Sequence, residues 1–312
     1  MEPVTFWKNF NLGSELSVSG NFIYNGIRGF HEMKTLNNGD EAFQVLYNLS
    51  VGLERLFKVA VVLLEHEDYI DQESLEQSLI THNLPDLMNR IKKHAHLTLG
   101  KTHYDLLSVL SSFYKSTRYS RFTLSSVYSL DEDLEAIRGY LSKHLNEEIT
   151  SASDFFAIEN KTRYKKFLRR TVLKLSSSIF KVIEDRSRSL NIYTHEQRHG
   201  SKAQTVFLGE FDPTNEDILW KELLIFMMNT EASCGYLEFL KGIEPLDFDP
   251  ALADDYLACF QSDSAKAEVM EELEHHYQEM GSEERKKRLE MINIIGAPGV
   301  CFDLPEDEFE EE

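Results

Sequence analysis

EAFQVLYNLSVGLERLFKVAVVLLEHE, residues 41–67, reads as one long helix and decides the class of the chain. Phe43, Leu46, Tyr47, Leu49, Leu53, Leu56, Phe57, Ala60 and Leu63 recur at spacings of three and four, the period of a helix that buries one side. Comparable patterns follow along the chain. Asp71 or Ser74 caps a short helix, HNLPDLMNRIKKHAH gives another from about Leu84, and HYDLLSVLSSFYKST gives a third over 103–117. Asp131 caps DEDLEAIRGYLSKHLN, with acids in its first turn and Lys143 and His144 in its last, as the helix dipole prefers. A helix follows Ser153-Asp154, and Tyr164 to about Arg188 forms a long one with Phe167, Val172, Leu175, Ile179, Val182 and Ile183 facing inward. Asp217–Asn229, residues 232–241, ADDYLACFQSD and EVMEELEHHYQEMGSEERKKRLEMINIIG complete a chain whose fold class is all-α, an elaborated helical bundle.

Two stretches depart from helical patterning. Residues 1–40, with SVSGNFIYNGIRGF and then NNGD, are aromatic and turn-rich, as in a short hairpin or an extended arm. After Gly200, which can stop a helix, QTVFLGEF has the β-branched and aromatic content of a short strand, placing a small β element near 203–211. The expected organisation is an N-terminal arm over 1–40, a helical bundle over 41–203, and a C-terminal helical region over 204–302 packed on it. The tail 303–312, with seven acids in its last ten residues, is expected to be disordered.

With 312 residues, 42% hydrophobic and 11% aromatic, the chain can bury a large core. Seven Pro and fifteen Gly are few for this length, which favours helices over a strand-and-turn architecture. The longest apolar runs, such as VAVVLL at 59–64, are too short to cross a bilayer. Cys234, Cys259 and Cys301 lack metal-type spacing, and no basic start precedes an apolar run. The expectation is a cytoplasmic protein without membrane contact. His94, His96 and His103 lack a carboxylate or Cys to complete a metal site, and there is no phosphate-loop or dinucleotide fingerprint, so neither metal nor cofactor is expected.

The charge is unevenly placed. Between Lys161 and Lys202 stand twelve Lys or Arg against Glu184, Asp185 and Glu196, a local +9 that leaves −29 for the rest of a chain whose net charge is −20. Solubility tuning intersperses the signs, whereas a concentrated positive field offers a place for phosphate, RNA or an acidic surface. Lys165, Lys166, Arg169 and Arg170 are its densest run. The same run can instead pair with acidic segments of this chain, such as 268–274 or the tail.

Three landmarks carry a family resemblance. Glu54 and Lys58 stand four apart in the first core helix; His82, Leu84 and Leu87 form a His-x-Leu-x-x-Leu start; Phe113, Tyr114, Arg118 and Tyr119 form an aromatic and Arg-Tyr helix end. In this order, over about residues 41–125 and on toward 203, the chain resembles the HEPN superfamily (higher eukaryotes and prokaryotes nucleotide-binding). That resemblance implies a bundle of four or five helices, a homodimer, and, in many members, a metal-independent endoribonuclease of toxin–antitoxin or phage-defence type. Its signature, Arg followed after four to six residues by His, is matched by Arg188-SLNIYT-His195, which lies beyond the usual landmarks. Within it His195 would carry a proton and Arg188 would clamp the phosphate, with Arg198 and His199 adding phosphate contacts and Asn191 or Tyr193 positioning them. The alternative is a non-catalytic HEPN-like module that binds a partner protein or a nucleotide. In structural terms Arg188 and His195 read as cations stabilised at a helix C-terminus, Glu54–Lys58 as an intrahelical ion pair, and Arg118-Tyr119 as a helix end.

Overall fold

Residues 12–32 form a helix, α1 (Leu12–Glu32), where an arm or hairpin was expected over 1–40. Leu12, Leu16, Ile23, Ile27 and Phe30 are buried at helical spacing, and Ser19, Gly20 and Gly26 occupy the same buried face. Small residues at interface positions interrupt the apolar period, which is why the stretch reads as turn-rich. Their size is required by the next helix, α2 (Gly39–Glu65), which passes against them. A Cβ on Gly26 would lie 2.6 Å from Leu49 Cδ2, and one on Gly52 would lie 2.9 Å from the backbone nitrogen of Ile23. Ser19 donates its hydroxyl to the Gly52 carbonyl at 2.7 Å, so one hydrogen bond ties the two helices where they cross.

The computed structural model describes residues 2–66, 71–120, 122, 124, 132–149, 157–260 and 263–300. Asp131, Ser153, Asp154, Cys301 and the tail 303–312, with the caps and disorder assigned to them, lie outside the described residues.

Asn38 caps α2 by accepting the Asp40 and Glu41 N–H groups at 3.0 and 3.3 Å, and those two acids sit at the positive end of the helix. Leu46, Leu49, Leu53, Leu56, Phe57, Ala60 and Leu63 are buried as the period predicts, with Val45 on the same face, and so are Val59, Val61 and Val62 outside it. The helix is therefore central rather than amphipathic. The helices α4 (Leu84–His94), α5 (Lys101–Ser112), α6 (Glu132–Leu145) and α7 (Thr162–Ser189) all pack on it. Between α2 and α4, the short α3 (Gln72–Ser78) is capped by Asp71, which accepts the Ser74 N–H at 3.0 Å. Helix α5 runs on into a π-helical segment, Phe113–Thr117, and one short turn, Arg118–Ser120.

The α1–α2 connection is tied from several directions. Asn160 donates to the Phe30 and Met33 carbonyls at 2.8 and 3.2 Å, and Arg138 of α6 donates to the Leu36 carbonyl, through Nε at 2.9 Å. An isolated antiparallel bridge joins Thr35 and Glu159.

The small β element expected near 203–211 is also a helix, α8 (Lys202–Leu208). Ser201 caps it by accepting the Gln204 N–H, and Gly209 ends it at φ 73°. Ala203, Val206 and Phe207 bury one face, Ala203 against Gly20 of α1. Capping and burial at helical spacing override the strand preference of Val206 and Phe207. The next helix, α9 (Pro213–Asn229), starts against α1. Tyr24 donates to Glu216 at 3.0 Å, while Arg28 and His31 reach Asp217 at 2.7 and 2.9 Å.

The chain divides into two units, residues 1–220 and 221–312, with the boundary inside α9. Residues 204–220 thus belong to the first unit. In the second unit α10 (Gly235–Lys241), α11 (Ala253–Cys259), α12 (Asp263–Glu279) and α13 (Ser282–Ile292) follow. Leu237 is its one buried hydrophobic side chain among the described residues. Tyr256 and the Asp249 N–H both donate to Glu272, at 2.7 and 2.9 Å. Among the described residues, no helix is long and apolar enough to cross a membrane.

Two measurements check the packing and the polar clamp. Gly52→Ala drives a methyl group into the Ile23 backbone, which cannot rotate away, and is expected to cost about 1–3 kcal/mol in chemical denaturation. Partial burial alone would push the Asp217 carboxyl up, but hydrogen bonds from His31 and Arg28 outweigh it and hold the group below its ordinary value. Its contribution is therefore present above the ordinary carboxylate range and is lost as pH falls through the depressed folded value. Asp217→Asn should lower stability at neutral pH and flatten the acid limb of the stability profile.

Candidate nucleic-acid interface

The basic island folds as α7 and the loop that follows it, and the helix sorts its cations by direction. Arg163, Lys166, Arg170, Lys174, Lys181 and Arg188 recur every three, four or seven residues. At 3.6 residues per turn they fall within an arc of roughly 80°, along roughly 37 Å of axis. All six are exposed. Arg163 leans on Glu147 at 3.6 Å and Arg188 on Asp185 and Glu184 at 3.4 and 3.8 Å. Among the described residues Lys166, Arg170, Lys174 and Lys181 have no ion-pair partner within about 4 Å.

Lys165 and Arg169 point the other way. Burial disfavours the charged Lys165 amine and lowers its pKa, with Asp217 and Glu159 partly offsetting that loss. Arg169 pairs with Asp212 at 3.3 Å and donates to the Gly209 and Phe211 carbonyls, fixing the α8–α9 turn. Of the four residues in the densest run, Lys166 and Arg170 thus face solvent, while Lys165 and Arg169 serve the fold. Lys161 is also engaged, with Glu147, and Arg186 donates to the Leu63 carbonyl at the end of α2 at 2.9 Å.

The end of α7 is built by backbone chemistry. Asn191 adopts φ 55°, and the N–H groups of Asn191 and Ile192 return to the carbonyls of Arg188 and Ser187 at 3.2 and 2.9 Å. This is a Schellman cap in which asparagine takes the left-handed position usually given to glycine. Ile192 is buried beyond it, and the turn exposes Tyr193, whose N–H donates to Asn9 at 3.3 Å. Gln197 reaches back to the buried Ser187 hydroxyl at 2.9 Å.

This loop closes a cleft of about 250 Å³ lined by Glu184, Arg188, Ile192, Tyr193, Thr194, Gln197 and Arg198. Arg188, Tyr193 and Arg198 therefore share one hollow. His195 opens a short 3-10 turn, His195–Gln197, and is exposed, but it does not line the cleft; nor does His199. Burial raises the Glu184 carboxyl, which Arg188 counteracts, so the cleft holds two guanidinium groups against one carboxylate with a weakened hold on its charge. Such a place suits a phosphate flanked by a ring that can stack on Tyr193.

Sequence reading found the two ends of this surface but missed Lys174 and Lys181 as members of one face. Their spacing from Arg170 and Arg188, by four and seven residues, was the available signal. Among the described residues no group of three His, Cys, Asp or Glu side chains is placed to hold a metal. Comparison of the chain with protein-family models, curated proteins and solved structures finds no match.

Asn191 tests whether the loop residue works through its backbone. Asn191→Gly should keep full stability, whereas Asn191→Val should cost about 1–2 kcal/mol by chemical denaturation, because a branched side chain resists positive φ.

Proposed function

We propose that this protein is a HEPN-like helical module that binds RNA, tracking the phosphate backbone along the exposed face of α7 toward the Arg188–Arg198 cleft. The observation that carries this reading is the alignment of six exposed cations on one side of a single helix. Four of them lack an ion-pair partner among the described residues. Net charge opposes the reading only at long range. The Debye length at physiological salt is about 8 Å, so charges on distant faces of this −20 chain are largely screened from a strand lying on α7. Phosphates within reach of the stripe feel mainly its lysines and arginines.

The catalytic version of the reading assigns the clamp to Arg188 and proton transfer to His195, in an endoribonuclease acting as a homodimer inside the cell. The absence of His195 from the cleft lining favours the non-catalytic version, in which the same surface holds RNA without cutting it. Single-stranded RNA of about 20 nucleotides, followed by fluorescence anisotropy across a salt series, tests both. Lys166→Ala, Arg170→Ala, Lys174→Ala and Lys181→Ala combined should weaken binding at least tenfold. The salt slope should fall by about 3, at about 0.7 for each phosphate no longer neutralised. Unchanged affinity in a folded quadruple variant overturns the interface. Denaturing gels of the same RNA with wild type, Arg188→Ala and His195→Ala separate the versions, since cleavage abolished in both variants supports the nuclease.

A further inference from the structure

Residues 218–228 of α9, ILWKELLIFMM, hold nine apolar side chains out of eleven. A helix of that composition is ordinarily buried on every side. Here seven of the nine are exposed, and only Trp220 and Leu224 are half-buried. At 3.6 residues per turn Leu219, Leu223, Phe226 and Met227 fall within an arc of roughly 100°. Each of these four is between 44% and 58% exposed. The start of the helix is fixed, with Pro213 buried and with Glu216 and Asp217 held by Tyr24, Arg28 and His31. Further along, among the described residues, none of α10 to α13 packs along it.

We propose that this face of α9 docks the apolar side of a basic amphipathic helix from a partner protein. Charge selects the occupant. Residues 221–312 carry seven Lys or Arg against twenty-four Asp or Glu, a net −17 out of the chain's −20. Without residues 301–312 the balance is still seven against seventeen. Glu222, exposed, lies about 40° round the helix from Phe226, so an acid flanks the apolar arc itself. A helix with lysines or arginines rimming an apolar stripe meets both features at once, burying hydrocarbon while its cations face acids. A second copy matches less well. Pairing the two faces sets two units of −17 against each other, and every exposed side chain of α7 is polar or charged. Nucleic acid and anionic lipid surfaces are repelled for the same reason. The second unit also has much to gain from such a partner. With Leu237 its one buried hydrophobic side chain among the described residues, it lacks the core on which the stability of a domain ordinarily rests. The unbranched, flexible side chain of Met227 adapts to partner side chains of varied shape.

The probe is a fluorescein-labelled peptide of about 18 residues, with leucines every three or four positions among lysines, titrated with the full chain and followed by anisotropy. Saturable binding that weakens with salt is expected. A scrambled peptide of the same composition, and an amphipathic one with glutamate in place of lysine, should each bind at least tenfold more weakly. Leu223→Ser, Phe226→Ser and Met227→Ser combined change exposed positions, so the folding risk is small, and should also weaken binding at least tenfold. The quadruple α7 variant should keep peptide affinity within about twofold, so this surface and the RNA reading fail separately. Equal binding of the scrambled peptide, or full affinity in a folded triple variant, overturns the proposal. Sedimentation of the protein alone examines the other occupant: a dimer that the triple variant abolishes assigns the face to a second copy and equally overturns it.

Discussion

The close crossing of α1 and α2 is the constraint on which the first unit depends. Gly26 and Gly52 remove the side chains that would hold the helices apart, and the Ser19–Gly52 hydrogen bond exploits that close approach. The opposite sides of α2 remain free to receive α4, α5, α6 and α7, so that one helix is buried on nearly every face. A methyl group at the crossing would shift the axis on which four other helices rest, and a close-packed interior has little empty space to absorb such a shift. The polar ties at Asn160 and Arg138 then hold the connection between the two helices, saturating carbonyls that a tight turn would leave open.

The second organising feature is the division of labour around α7. Its inward cations satisfy backbone carbonyls and half-buried acids: Arg186 on Leu63, Arg169 on Gly209 and Phe211. Its outward cations are spread along the axis with few partners. A basic run is therefore not one object. Adjacent residues such as Lys165 and Lys166 differ by about 100° around the helix, enough to place one in the fold and the other in solvent.

The helical class and most of the long helices were legible because their apolar residues recur at three and four, and the buried positions expected in α2 and α7 were largely correct. Residues 12–32 were not, because the close approach selects Ser19, Gly20 and Gly26, whose small size also reads as turn chemistry. Residues 202–208 misled in the opposite way, since Val206 and Phe207 suit strands while Ser201 and Gly209 supply the helix caps. For the candidate surface, sequence located the charge but not its facing. Spacing along the chain pairs His195 with Arg188, whereas the cleft lining includes Arg188 and not His195.

The clamp between α1 and α9 has a consequence for biosynthesis. Tyr24 and Arg28 find their partners at Glu216 and Pro213, separations of 192 and 185 residues. At the usual rate of about 5–20 residues per second, the first helix leaves the ribosome roughly 10–40 s before those partners exist. Through that interval the glycine crossing with α2 can form, but the flank bearing Gly20, Tyr24 and Arg28 stays bare. The nascent chain thus carries an uncovered seam while the intervening residues are made, and the arrival of α8 and α9, rather than the first helical contact, sets when that seam closes.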